Sequence, residues 1–176
     1  MLNVPTMWTA FVINFLALGL IWAYVMRSYP AFEAARFWAG SAFAAATGTA
    51  IAMLVLVVDS LIPLLADGTI VIFSTCLAAM GIQRFYDQPV AWRGTALITG
   101  FTLAAMAFFI FGYASSTMRI VIYSVAQAVP LALTLKLLMS RQDGRINPGA
   151  RLAGIIASLT IGIYAFRAAA SSAPSA

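Results

Sequence analysis

Residues 37–58 read FWAGSAFAAATGTAIAMLVLVV, and no charged side chain interrupts the run. An α-helix crosses the hydrocarbon core of a bilayer with about 20 consecutive apolar residues. This stretch is long enough. Gly40, Ala44, Gly48 and Ala52 recur within it at four-residue intervals. Such spacing puts small side chains on one stripe, which lets helices approach closely in lipid, where hydrophobicity drives little association. The run predicts a membrane helix packed tightly against a neighbour.

Five further stretches read the same way: Met7–Met26, Thr69–Tyr86, Gly94–Tyr113, Ile120–Met139 and Leu152–Ala170. The third is the shortest in clean apolar sequence. It ends at Ile82 and reaches full length only if Gln83 and Arg84 snorkel into the interface. The polar segments between spans are too short to separate two domains. The expected fold is all-α, a polytopic membrane helical bundle of six transmembrane helices over residues 1–170. Residues 171–176 are expected to form a short disordered tail.

Composition agrees. Of 176 residues, 63% are hydrophobic and 9% charged, against about 25% charged in a soluble domain. Such a chain cannot cover a water-facing surface, which excludes a soluble enzyme. The single cysteine, Cys76, lies in an apolar run with no partner, so there is no disulfide scaffold. Histidine is absent, which removes the commonest general base and metal ligand. Glu33, Asp87 and Asp143 form no metal or acid–base pattern. No catalytic residue, metal site or cofactor is expected.

The basic residues orient the chain. Arg27, Arg36, Arg84, Arg93, Lys136, Arg141, Arg145 and Arg151 fall on one side of the six spans, and only Arg119 and Arg167 on the other. The positive-inside rule makes the crowded side cytoplasmic, with both termini outside. The net charge of +5 then reflects topology and attraction to anionic lipid, not nucleic-acid binding. Lys136, the sole lysine, lies one turn from the cytoplasmic end of its span and can snorkel. No carboxylate is expected inside any span.

Few polar groups fall within the spans. Asn14 lies mid-way along the first, and Gln127 lies in the fifth, just before Pro130. Pro130 cannot donate to the Ala126 carbonyl, so a kink is expected there. Asn14, Gln127 and Pro130, with Arg119 at the outer mouth, are candidate ligand-pocket residues. The competing reading is that both amides only hold helices together. Asp59, Asp67, Arg119 and Arg167 at the outer face read first as pairs tying helix ends, and second as a polar mouth. Gly154, Ser158 and Gly162 in the sixth span, and Ser124, Ala128 and Ala132 in the fifth, read as packing stripes or a homodimer face.

Two connections look alike. Both Arg27–Arg36 and Arg84–Arg93 run from Arg to Arg, with Tyr two residues in and a proline between. This suggests hairpins related about the membrane normal, three in all if the last connection is included.

The same segments carry a family resemblance. Tyr29-Pro30 with Arg36-Phe37-Trp38-Ala39-Gly40, then Gly81-Ile82-Gln83-Arg84-Phe85-Tyr86 with Pro89, then Arg119-Ile120-Val121 with Ser124 and Ala128, then Ala150-Arg151-Leu152 with Arg167, resemble the N-terminal multi-pass membrane sensor region of bacterial diguanylate cyclases. In that family a further helix leads to a cytoplasmic GGDEF domain. The sequence here lacks both and has no Gly-Gly pair, so the resemblance does not bring cyclase activity with it. It implies a non-enzymatic sensory or regulatory module in a bacterial inner membrane, sensing a small ligand or bilayer state. Membrane lipids, a second copy of the chain or a cytoplasmic signalling protein are its expected partners. The alternative is a small transporter or channel subunit.

Overall fold

The computed structural model describes residues 4–58, 60–113, 115–139 and 148–172, the last segment with side chains from 154 to 166. Among these residues every regular element is helical. The helices are α1 (Val4–Ser28), α2 (Ala34–Met53), α3 (Ile62–Phe85), α4 (Trp92–Ala107), α5 (Ser116–Met139) and α6 (Pro148–Ser172). A 3₁₀ turn, Leu54–Leu56, prolongs α2, and a π turn, Phe108–Gly112, prolongs α4. With those turns, α1 to α5 are long and apolar enough to cross a membrane. The described apolar part of α6, Gly154–Phe166, is shorter.

The third helix differs most from expectation. It begins at Ile62, before the expected Thr69, and needs no snorkelling to reach full length. Two start signals explain this. Pro63 stands in the first turn, where its missing N–H is no loss. The Ser60 hydroxyl accepts from the Ile62 N–H at 3.2 Å. Asp67 is thereby drawn inside α3, so the expectation that no span holds a carboxylate is wrong. At the far end, α6 continues to Ser172, past the expected start of the tail. Residues 173–176 lie outside the described residues.

The helices pack pairwise at either end of the chain, while α3, α4 and α5 all meet one another. α1 packs on α2, α2 on α3, and α5 on α6, all closely. α3 meets α5 more lightly, and α4 leans loosely on both. Among the described residues α1 packs on no helix but α2, and α6 on none but α5. Three equivalent hairpins are therefore not what the packing gives: α1–α2 and α5–α6 are tight pairs, whereas α3–α4 is splayed.

The interior is rich in alanine and hydroxyl-bearing residues around a few large side chains such as Ile72 and Met80, while many large apolar side chains lie outside. Ala35, Ala39, Ala42, Ala45, Ala46 and Gly48 are buried in α2. On α4, Leu97 and Phe101 are each 73% exposed while Thr102 is 0% exposed. A protein folded in water buries its large apolar side chains, so the inversion fits lipid as the surrounding medium. Several hydroxyls inside the helices are satisfied within their own helix, others across helices, as Ser74 is by the Ser41 carbonyl at 3.0 Å. Thr49, Thr69 and Thr102, for example, donate to the carbonyl four residues back at 2.7–2.9 Å.

α2 and α3 are joined by the expected glycine stripe. A Cβ on Gly48 would lie 3.0 Å from Val71 and 3.2 Å from Asp67 Oδ1. The same stripe carries Gly40, against Leu77, and buried Ala52. In α6 the expected stripe is only partly used. Gly154 packs on Leu135 and Met139 of α5, but Ser158 is exposed and Gly162 has nothing within 4 Å. The buried partner of Gly154 is instead Ala157. Successive steps of four residues drift around a 3.6-residue helix, whereas mixing threes and fours stays on one face. The fifth-helix stripe drifts likewise: Ser124 is buried and Ala132 exposed.

The ends of α2 and α3 beside the two Arg-to-Arg connections are clamped together. The Trp38 indole stacks near Trp22 at 4.5 Å and lies 5.7 Å from Phe32 and 6.1 Å from Phe85. Its Nε1 donates to the Ala78 carbonyl at 3.3 Å. The ring lies across Gly81, where a Cβ would sit 2.5 Å from Trp38 Cδ1. Arg84 Nε donates to Glu33 Oε2 at 2.5 Å, tying one connection to the other. That hydrogen bond, and then the guanidinium charge, holds the Glu33 carboxyl below its ordinary pKa. Gln83 Oε1 accepts from the Ala91 N–H at 3.1 Å and anchors the start of α4. Asp87 completes that turn at φ 53°, a left-handed conformation that Asp tolerates better than most residues.

Candidate functional site

At the opposite end of α3 a cavity of about 390 Å³ opens between α3, α4 and α5. Its α3 wall is Leu64, Asp67 and Gly68; its α5 wall is Ser116, Arg119, Ile120 and Tyr123; Met106 of α4 closes one side. Gly68 supplies no side chain here, and Met106 of α4 lies over it, 2.9 Å from where a Cβ would stand. Both charged residues stand near the N-terminal ends of their helices.

Asp67 and Arg119 line this space without forming an ion pair with each other. Arg119 Nη2 donates to Ser116 Oγ at 3.0 Å, one turn back on α5. Its Nε is buried and has no hydrogen-bond partner. Asp67 makes no hydrogen bond or ion pair among the described residues. The one ion pair between described residues is Glu33–Arg84, at the other end of the molecule. The expectation that outer charges tie helix ends does not hold for Asp67 and Arg119. Asp59 lies outside the described residues, and the Arg167 side chain is not among those described.

A polar seam leads inward from the cavity along α3 and α5. Tyr123 lines the cavity, and its hydroxyl accepts from Gln127 Nε2 at 3.2 Å. Gln127 Oε1 in turn accepts from the Thr75 hydroxyl of α3 at 2.6 Å. Gln127 is buried, 2% exposed, and both ends of its amide are satisfied. Arg119, Tyr123, Gln127 and Pro130 fall at steps of four, four and three, so one face of α5 carries them all. Pro130 is buried in an α5 that continues on both sides of it. Beyond it a narrow space is lined by Cys76, Met80, Thr95 and Pro130.

The four expected pocket residues thus separate. Arg119, Gln127 and Pro130 share one face of α5, and only Arg119 lines the charged cavity. Asn14 is exposed on α1, which packs on α2 alone, so it meets neither Gln127 nor Pro130. A single amide per span gave no information on which way it pointed. Asp67 enters the sequence reading only as part of a polar outer mouth, the second reading of the outer charges, and Tyr123 does not enter it. The signal for Asp67 was present in Ser60 and Pro63, which place the helix start ahead of it. Lys136 is exposed in the last turn of α5, where it can snorkel. Arg141, Asp143 and Arg145 lie outside the described residues. Among the described residues no cluster of His, Cys, Asp and Glu could hold a metal ion. No family model, curated protein or solved structure matches the chain.

Proposed function

We propose that this chain is a non-enzymatic sensory or regulatory module of a bacterial inner membrane, in which a small ligand at the α3–α4–α5 cavity alters the packing of α3 against α5. The observation that supports it most is the juxtaposition of two unpaired opposite charges, Asp67 and Arg119, at the mouth of the Tyr123–Gln127–Thr75 seam. Charges inside a membrane span are costly and are normally kept for function. The resemblance to the membrane sensor region of diguanylate cyclases points the same way, and supplies the expectation of a cytoplasmic output partner.

Thermal-shift screening of purified protein against lipids, quinones and small metabolites tests this reading, because anything that binds the native state raises its melting temperature by mass action. Arg119→Gln is expected to remove the response to a compound that binds the cavity. A screen without any stabilising compound sinks the proposal. The six-span topology belongs to the same proposal. A cysteine at Ser116 is expected to react with an impermeant reagent from outside, and one at Gly144 not; the reverse pattern inverts the orientation.

Asp67 within α3 is also what a small transporter would need, since intramembrane carboxylates mark ion and proton routes. Flux of a labelled solute into proteoliposomes, lost in Asp67→Asn, decides for that second reading.

A further inference from the structure

The ligand-site reading above leaves the ligand's chemistry open, and the cavity's charges narrow it. Asp67 and Arg119 face one space of about 390 Å³ and are not paired with each other. Packing keeps them apart. Asp67 Oδ1 is seated on the α2 side, 3.2 Å from where a Cβ of Gly48 would stand. Arg119 is tethered to Ser116 on its own helix at 3.0 Å, with Nε buried and unpartnered. Both residues are only partly exposed, and a charge partly withdrawn from water is stabilised by pairing with one of opposite sign. An anion bound at Arg119 alone leaves Asp67 uncompensated and repelled. A cation at Asp67 alone does the same to Arg119. A molecule bearing both charges satisfies both residues at once. The α5 N-terminus adds to the anionic preference on the Arg119 side, because a helix dipole favours negative charge there.

We infer that the cavity takes a small zwitterion, with its ammonium on Asp67 and its acid group on Arg119. The inference rests on the ligand-site reading of the cavity. The volume falls within the range of small-molecule pockets, roughly 300–1,000 Å³. The first two turns of α3 and α5 lie at headgroup depth if these helices span the bilayer. The same chemistry therefore comes from two sources: an aminophospholipid headgroup or a free ammonium–phosphate solute.

The test uses the full chain in nanodiscs of phosphatidylglycerol, which offers no ammonium. Soluble phosphoethanolamine is expected to raise the melting temperature saturably. Its half-saturating concentration should be at least tenfold below those of inorganic phosphate and ethanolamine given singly. Asp67→Asn and Arg119→Gln should each weaken the effect at least tenfold. If the headgroup is the natural source, phosphatidylethanolamine in the nanodisc stabilises the protein instead, again only with both charges present. Phosphate matching phosphoethanolamine, with Asp67→Asn without effect, overturns the zwitterion and leaves a ligand site standing. No shift from either phosphoethanolamine or phosphatidylethanolamine also overturns it, while the ligand-site reading then depends on the broader screen. The comparison of probes on the unaltered protein decides the matter even where a variant does not fold.

Discussion

Both ends of α3 carry a glycine, and the two glycines serve opposite purposes. Gly81 admits a rigid indole, Trp38, which is itself held by three other aromatic rings and a hydrogen bond to Ala78. Gly68 faces the flexible end of Met106, at 2.9 Å from a Cβ position, and borders a cavity. At one end a rigid ring takes the place of the missing side chain; at the other a flexible thioether does, beside a cavity. The contrast extends to charge. Glu33 and Arg84 pair at the clamped end, whereas Asp67 and Arg119 form no ion pair at the cavity end. The two ends of one helix thus differ in the stiffness of what faces each glycine.

Gly81→Ala is the harshest test of the contrast. Its Cβ would press on the indole, and overpacking a filled site costs typically 1–3 kcal/mol. Denaturation in mild detergent should show a loss in the upper part of that range. A silent Gly81→Ala would mean the clamp yields as readily as the open end. Gln127→Leu comes next, at about 1–2 kcal/mol, the range for an interhelical hydrogen bond in a membrane. Because Gln127 lies in the seam and not the cavity wall, a ligand response should survive it; loss of that response would extend the site to the seam.

Glu33→Gln should have a smaller effect, and one that depends on pH. The Glu33 carboxyl has a lowered pKa in the folded chain. Its contribution is therefore present above the ordinary glutamate value and fades as pH falls through the folded value. Wild type and Glu33→Gln should differ at neutral pH and converge in acid, and the gap should shrink in high salt because the pair is partly exposed. A gap that persists below the glutamate range would show that the pair is not its origin. Gly68→Ala should change least. Met106 can move its terminal methyl aside, and replacing glycine in a helix returns up to about 1 kcal/mol. Melting of this variant beside Gly81→Ala separates a glycine under a rigid ring from one under a flexible side chain; equal losses would erase the distinction.

Much of the fold was legible because lipid imposes simple length and composition rules. Of the run of residues 37–58, the part to Leu56 is helical, and Gly48 within it lies close against α3. Helix boundaries were less legible where a charge lay inside a span. Asp67 looks like an end because charge is rare in hydrocarbon, whereas Ser60 and Pro63 start the helix ahead of it. Face was the least legible property. Asn14 and Gln127 are similar amides in similar apolar runs, yet one is exposed and the other buried. Periodicity says which residues share a side, not which side meets a partner. Packing between helices made that choice: among the described residues α1 has one neighbouring helix and α5 has three.

The indole seated over Gly81 also sets how α3 can move. At that end the rigid ring of Trp38, its hydrogen bond to Ala78 and the Glu33–Arg84 pair hold the helix. Gly68 stands thirteen positions away, or about 20 Å along the axis at 1.5 Å per residue. There α2 still grips the helix, since Gly48 meets Val71 and Asp67, whereas the α4 side presents the flexible Met106 side chain and a cavity. A disturbance around Asp67 is therefore expected to leave α2 and α3 together as one body and to be taken up by α4 and α5.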